Sequence, residues 1–292
     1  MAFLERTPRV SLPEEVDLAL KGVEARLSSF RISDFVNRDL FNPSVHLLSR
    51  RGKLLRPTLL LLGAYFLGQK PSRYVDLAVA AELLHVSSLI HDDIIDRDEV
   101  RRGIKTVHVR YGNEAALLAG DALIATAVGM SSKYGEEVMK AMSSASIDMC
   151  AGELLDYNLQ KTGTVPSVAQ CLNIDMLKSA ALIAACCNVV AVHTNDSHSH
   201  EMHLFGRDLG TAFQIRDDII DYREWVSRGR KGLLVPNVVS SIESRRKMRS
   251  ESALLEAGRL NEKYVRSALA RLGESPGAKL MRDYASLVMV KT

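Results

Sequence analysis

The chain has 292 residues, a formal net charge of +3 and a hydrophobic fraction of 47%. So small a charge excludes a polyanion-binding surface as the organising feature, and 5% aromatic residues leave too few rings to stack nucleic-acid bases. No CxxC or comparable metal-ligand spacing links Cys150, Cys171, Cys186 and Cys187, so buried thiols in a reducing cytoplasm are expected.

Apolar residues recur at three- and four-residue intervals throughout, and no strand-like alternation persists. The pattern predicts helices at 13–30, 33–48, 53–68, 72–95, 113–132, 134–160, 167–193, 199–224, 236–249, 250–272 and 275–290. Breakers separate them at Gly68–Ser72, Gly103, Gly112, Gly163–Pro166, Gly229–Pro236 and Gly273–Gly277. No low-complexity linker divides the chain, so residues 1–292 read as one all-α domain. The longest apolar runs, near 58–67 and 180–192, are too short for a bilayer, so no transmembrane segment is expected. Met1–Pro13 lacks the apolar core of a cleavable signal.

In chain order, the first chemically pointed string is Gly52-Lys53-Leu54-Leu55-Arg56-Pro57. The helix at 72–95 then runs into Asp92-Asp93-Ile94-Ile95-Asp96, followed by Arg97-Asp98-Glu99-Val100-Arg101-Arg102-Gly103. The same acidic pentapeptide returns at Asp217–Asp221. On a helix, residues i and i+4 share a face about 6 Å apart along the axis, which pairs Asp92 with Asp96 and Asp217 with Asp221. Like charges so placed destabilise a helix unless neutralised. Mg2+ removes that cost and prefers oxygen ligands shared between carboxylates and substrate phosphates. One such motif is readily an acidic solvated face; two identical copies beside basic residues point to diphosphate held through metal. Arg binds phosphate as a planar fork and Lys as a point charge, so carboxylates plus separate cations suit two diphosphates better than one. His198, His200 and His203 follow the capping residues Asn195–Ser197 and are read as a surface helix start rather than a metal site. Glu243–Arg249 is read as a solvated charged face.

The strings GKLLRP (52–57), HDDIIDRDEVRRG (91–103), LAGD (118–121), KSAAL (178–182) and FGRDLGTAFQIRDDIID (205–221) resemble the trans-isoprenyl diphosphate synthases, the polyprenyl synthase family. The two aspartate motifs with GKxxRP are highly specific. The resemblance, which extends to geranylgeranyl and geranylfarnesyl diphosphate synthases, implies an all-α single-domain helical bundle around a deep central cavity, of isoprenoid synthase type. It implies a cytoplasmic homodimer condensing isopentenyl diphosphate head-to-tail with an allylic diphosphate, using Mg2+, about three ions per site. By the same resemblance Asp92, Asp96 and Asp217 are the metal ligands, supported by Asp93, Asp218 and Asp221. Lys53, Arg56, His85 and Arg102 stand where the family binds isopentenyl diphosphate. Arg101, Lys178, Ser179 and Gln214 stand where it faces the allylic diphosphate, with Ser179 in place of the usual Thr. Asp121 is placed to brace the site.

One departure follows the second acidic motif, where the family usually has two lysines. Here Arg223–Pro236 is short: Lys231 takes the place of the first lysine, the second is absent, and Arg228 or Arg230 is the candidate substitute.

Product length is read from the stripe below Asp92. Ser88 and Ser87 leave the first level open, and Leu84 is the first large side chain, so products of about twenty to thirty carbons are expected at roughly one isoprene unit per 5.4 Å helical turn. Leu123, Ile124, Ala127 and Val128 are candidates for the opposite wall. Three alternatives remain: a class I terpene cyclase, a non-catalytic subunit of a heteromeric synthase, and an inactive helical scaffold with a metal-binding face, which would not require the GKLLRP and RRG elements. The first ordinarily lacks GKLLRP and an intact second motif. The second is expected to have lost acidic residues, and all six are present.

Overall fold

The computed structural model describes residues 11–31, 37–50, 52–230 and 237–286. Its helices are α1 (Glu14–Ser28), α2 (Arg38–His46), α3 (Leu55–Phe66), α4 (Val75–Asp96), α5 (Val107–Tyr111), α6 (Asn113–Ser131), α7 (Glu136–Thr162), α8 (Val168–Asp175), α9 (Ala181–Thr194), α10 (Ser199–Ser227), α11 (Val238–Arg246), α12 (Ser250–Ala270) and α13 (Pro276–Ser286). The one sheet among the described residues is a two-residue hairpin, β1 (Val100–Arg101) against β2 (Ile104–Lys105), antiparallel. The fold is therefore all-α, as expected. Neither the hairpin nor α5 was foreseen, because a two-residue strand is too short to show alternation.

The chain forms two compact units, one from Pro13–Ser146 with Asn188–Ser197, the other from Ile147–Cys187 with the chain from His198 onward. In the first, α4 is the central helix. Leu77–Ala81, Leu83, Leu84, Val86 and Ile90 are all buried, and a helix apolar on every side is stable only when enclosed. It packs on α1, α3 and most extensively on α6. The face of α6 that buries Ala116, Ala119, Gly120 and Ala127 around Leu123 is mostly small residues, which permits close helix approach. A Cβ at Gly120 would lie 2.1 Å from His91 Nε2, so only glycine lets the histidine preceding Asp92 seat against α6. α4 ends where Arg97 turns left-handed.

In the second unit α10 is central and packs on α12. Gly206 and Gly210 bring its backbone onto residues 180–187: a Cβ on either would lie 2.6 Å from Cα of Ala184 or Ala180. The helix predicted at 167–193 is interrupted by a π-helical turn, Met176–Ala180. A Cβ at Gly152 of α7 would fall 2.5 Å from the Lys178 nitrogen, so α7 meets that turn backbone to backbone. π-turns insert a residue into a helix and re-aim its side chains. α10 is capped at His198 rather than at Asn195–Ser197.

Among the described residues two helical spans, Asn113–Tyr134 and Val168–Thr194, are long and apolar enough to cross a membrane by length and composition. The continuous-run reading overlooked them because scattered polar residues such as Asp121 and Lys178 break the runs. Two-thirds of the second span's apolar window is buried within the protein, as in a core helix.

Candidate functional site

The first acidic motif closes α4. Asp92 is partly buried and Asp96 exposed, one turn apart on the same helix, while Asp93 is wholly buried. Asp93 Oδ1 accepts from Arg101 Nε at 2.5 Å, and Arg101 Nη2 reaches Asp98 Oδ2 at 2.8 Å. The hairpin is what turns Arg101 back toward α4. Burial raises the Asp93 carboxyl above its ordinary range, opposed by Arg101, and its Oδ2 is buried without a hydrogen-bond partner.

On the same unit lie Lys53, Arg56, His85 and Arg102. Lys53 is exposed, Arg56 and His85 partly buried. Leu54, which caps α3, and Arg102 both adopt left-handed backbone, at φ +50° and +53°. Non-glycine residues hold that conformation only when their surroundings over-determine it, commonly at functional sites. Burial, then the charges of Arg56, Arg102 and Arg101, hold the His85 imidazole well below its usual pKa and so neutral. Sequence reasoning passed over Glu82, one turn before His85. It is 2% exposed, with Arg102 Nη2 3.7 Å from its Oε1. An isolated acid within an apolar run, AVAAELLHV, was the available signal.

The second motif lies on α10 in the other unit and repeats the pattern: Asp217 is partly buried, Asp221 exposed and Asp218 buried. Asp218 Oδ2 accepts from Val238 N at 2.7 Å at the start of α11, and Asn237 Nδ2 donates to the Asp218 carbonyl at 2.8 Å. The middle aspartate of each motif thus serves protein partners, one an arginine and the other a helix N-terminus. Beside Asp218, Gln214 accepts from Ser179 Oγ at 2.9 Å. Lys178 is bracketed by Glu153 at 2.6 Å and Asp156 at 2.9 Å. Asp175 is buried nearby; burial, then Asp218 and Asp156, raise its carboxyl well above the usual range. Glu153, Asp156 and Asp175 were missed, since nothing in sequence spacing ties α7 to Lys178.

Lys231 lies outside the described residues. Arg230 does not stand in for the absent lysine. Its guanidinium binds Glu243 at 2.6 Å and Ser250 at 2.7 Å, and stacks over Trp225 at 5.0 Å. Asp121 is 61% exposed, with Oδ1 3.8 Å from His91 Nε2, a nitrogen that also lies 3.2 Å from the Leu117 carbonyl. On the length stripe, Ser87 and Leu84 are buried and Ser88 partly so, both serines bonding backbone one turn back. Leu123 and Ala127 of α6 are fully buried, Ile124 and Val128 only partly.

Among the described residues no three His, Cys, Asp or Glu side chains form a ready metal cluster. The donor set still fits Mg2+: paired carboxylates on one helix face supply hard oxygens and leave the remaining positions to water and phosphate.

The polyprenyl synthetase family model matches residues 37–232. The chain belongs to that family. It is similar to the geranylfarnesyl diphosphate synthase of Aeropyrum pernix, 40% identical over 221 residues, 67% of this chain and 69% of that one. It shares the fold of a geranylgeranyl pyrophosphate synthetase from Geoglobus acetivorans, with a TM-score of 0.84 and 24% identity over 95% of this chain and 100% of that one. An isoprenoid synthase family member from Thermotoga neapolitana matches with a TM-score of 0.78 and 27% identity over 92% and 97% of the two chains. The family makes this chain a prenyltransferase.

Proposed function

We propose that this chain condenses isopentenyl diphosphate head-to-tail with an allylic diphosphate to give a trans-polyprenyl diphosphate of about twenty to thirty carbons. Geranylgeranyl and geranylfarnesyl diphosphates are the leading products, and two relatives with those names support the range. The observation that carries the reading is the set of charges, Arg56, Arg102 and Arg101, that acts on a neutral His85. A cyclase with one diphosphate substrate has no use for it. The family match crosses both compact units, which supports one catalytic domain over 1–292.

Asp92, Asp96 and Asp217 would hold Mg2+, about three ions per site, which when bound neutralises the charge of the leaving diphosphate. Lys178, Arg101, Ser179 and Gln214 bind the allylic diphosphate, joined by Lys231. The allylic C–O bond breaks and its electron pair leaves with diphosphate. The alkene electrons of isopentenyl diphosphate then form the new C–C bond. A proton passes from the resulting cation to the departed diphosphate. Lys53, Arg56 and Arg102 hold the second diphosphate directly, and His85 donates a hydrogen bond without adding charge. Buried apolar side chains such as Leu84 and Leu123 keep water from the cation.

Exposed apolar residues on α6, Leu117 and Leu118, and on α7, Ile147 and Leu154, support a homodimer. A cytoplasmic location stays part of the proposal. The deciding experiment is incubation with isopentenyl diphosphate, an allylic starter and Mg2+, with mass analysis of products. Consumption of isopentenyl diphosphate into elongated diphosphates is expected; a cyclic hydrocarbon with no such consumption overturns it.

A further inference from the structure

The Arg102 guanidinium is pinned from three sides within one unit. Nη1 donates to the Arg50 carbonyl at 3.0 Å. Nη2 lies so close to Gly52 that an added Cβ would be 2.7 Å away. The third side is the Glu82 carboxylate, 3.7 Å from Nη2 and 3% exposed. Glu82, Arg102, Gly52 and Leu54 line one small cleft. Burial raises the Glu82 carboxyl above its ordinary range, and the charges of Arg56 and Arg102 oppose that rise.

A carboxylate buried in an apolar helix is costly unless it faces opposite charge. The two guanidiniums that act on this carboxylate repel one another before any anion arrives. A single internal anion beneath them offsets both costs. It also fixes the planar fork, which recognises phosphate only in the right orientation. Leu54 and Arg102 beside this cleft both hold left-handed backbone, at φ +50° and +53°.

We propose that Glu82 is a positioning residue for the second substrate: its buried carboxylate orients Arg102, with Arg56, to receive the diphosphate of isopentenyl diphosphate. The proposal rests on the reading of Arg56 and Arg102 as ligands of that diphosphate. Glu82 itself does not touch substrate.

The test is steady-state kinetics on the full chain, each substrate varied, for Glu82→Gln, Arg102→Ala and the double variant, with thermal melting of each. Glu82→Gln keeps the side-chain volume and removes the charge. We expect it to raise KM for isopentenyl diphosphate about tenfold, with kcat and the allylic KM within about twofold. Arg102→Ala should raise the same KM, and adding Glu82→Gln to it should cost little more, since the two act as one unit. If Arg102→Ala leaves that KM unchanged, the substrate assignment fails. If Arg102→Ala raises it and Glu82→Gln does not, the positioning role alone fails. A loss in Glu82→Gln confined to melting temperature, or spread equally over both substrates, marks a merely structural residue and also overturns the proposal. Should Glu82→Gln not fold, Glu82→Asp, which keeps the charge on a shorter arm, must show the selective KM rise, and equal effects on both substrates overturn it.

Discussion

Asp93 Oδ1 sits 2.5 Å from Arg101 Nε, so the buried middle residue of the first acidic motif holds an arginine that the hairpin has carried back to α4. Motif and cation therefore act as one piece. Asp93→Ala should release Arg101 and leave it to Asp98 alone. The expected result is an allylic KM raised about tenfold, with Asp93→Asn intermediate because it keeps one hydrogen bond. An allylic KM unchanged in both variants would sink this pairing as a functional one.

The outer aspartates should behave differently. Asp92→Ala and Asp217→Ala are each expected to lower turnover by orders of magnitude with little change in melting temperature, since both are only partly buried. Chelation of divalent ions should abolish activity while the helical circular dichroism persists. Either variant keeping more than about half its activity at saturating Mg2+ refutes the assignment.

The two diphosphates should separate by mutation. Arg56→Ala should mainly raise KM for isopentenyl diphosphate. Lys178→Ala should act on the allylic KM and on ionisation, and should also strand Glu153 and Asp156, so some loss of stability is expected alongside. Both variants acting on one substrate alone would show that one role is misassigned.

Product length offers a chromatographic readout. Ser88→Phe should shorten the product with the fold intact, because Ser88 is only partly buried. Ser87→Phe should shorten it too but at about 1–3 kcal/mol of overpacking, since Ser87 is 2% exposed. Leu84→Ala should lengthen it by opening another turn of α4, at about 2–5 kcal/mol of stability. An unchanged distribution in all three would assign length control to α6, at Leu123 and Ala127.

The clamp at Arg230 predicts a pH effect on stability. Its hydrogen bonds to Glu243, chiefly, lower that carboxyl from 4.5 to about 2. A depressed acid stabilises the fold above its unfolded value and loses that contribution as pH falls from 4.5 toward about 2. Arg230 is 45% exposed, so solvent screening holds the gain to about 1 kcal/mol or less. Glu243→Gln should lower the denaturation midpoint at pH 7 and match the parent near pH 2; an equal gap at both pH values would contradict it.

All-α character, the order of the helices and both acidic motifs were legible in the residues, because periodicity and i, i+4 spacing are local properties of one helix. So was the cation set, through short strings whose members are neighbours in sequence. Spacing does not say which member of a motif turns inward. Asp93 and Asp218 look equivalent to their neighbours until the hairpin and the α11 N-terminus are folded against them. Glu82, Glu153 and Asp156 gain meaning only from residues distant in the chain: Arg102 from the hairpin and Lys178 from a π-turn whose extra residue no periodicity reveals. Arg230 read as a candidate substitute for the absent lysine, and packing pairs it with Glu243. Sequence by itself determined which chemically pointed residues were present; burial and long-range pairing, which depend on contacts between elements, decided which of those charges are buried against protein partners.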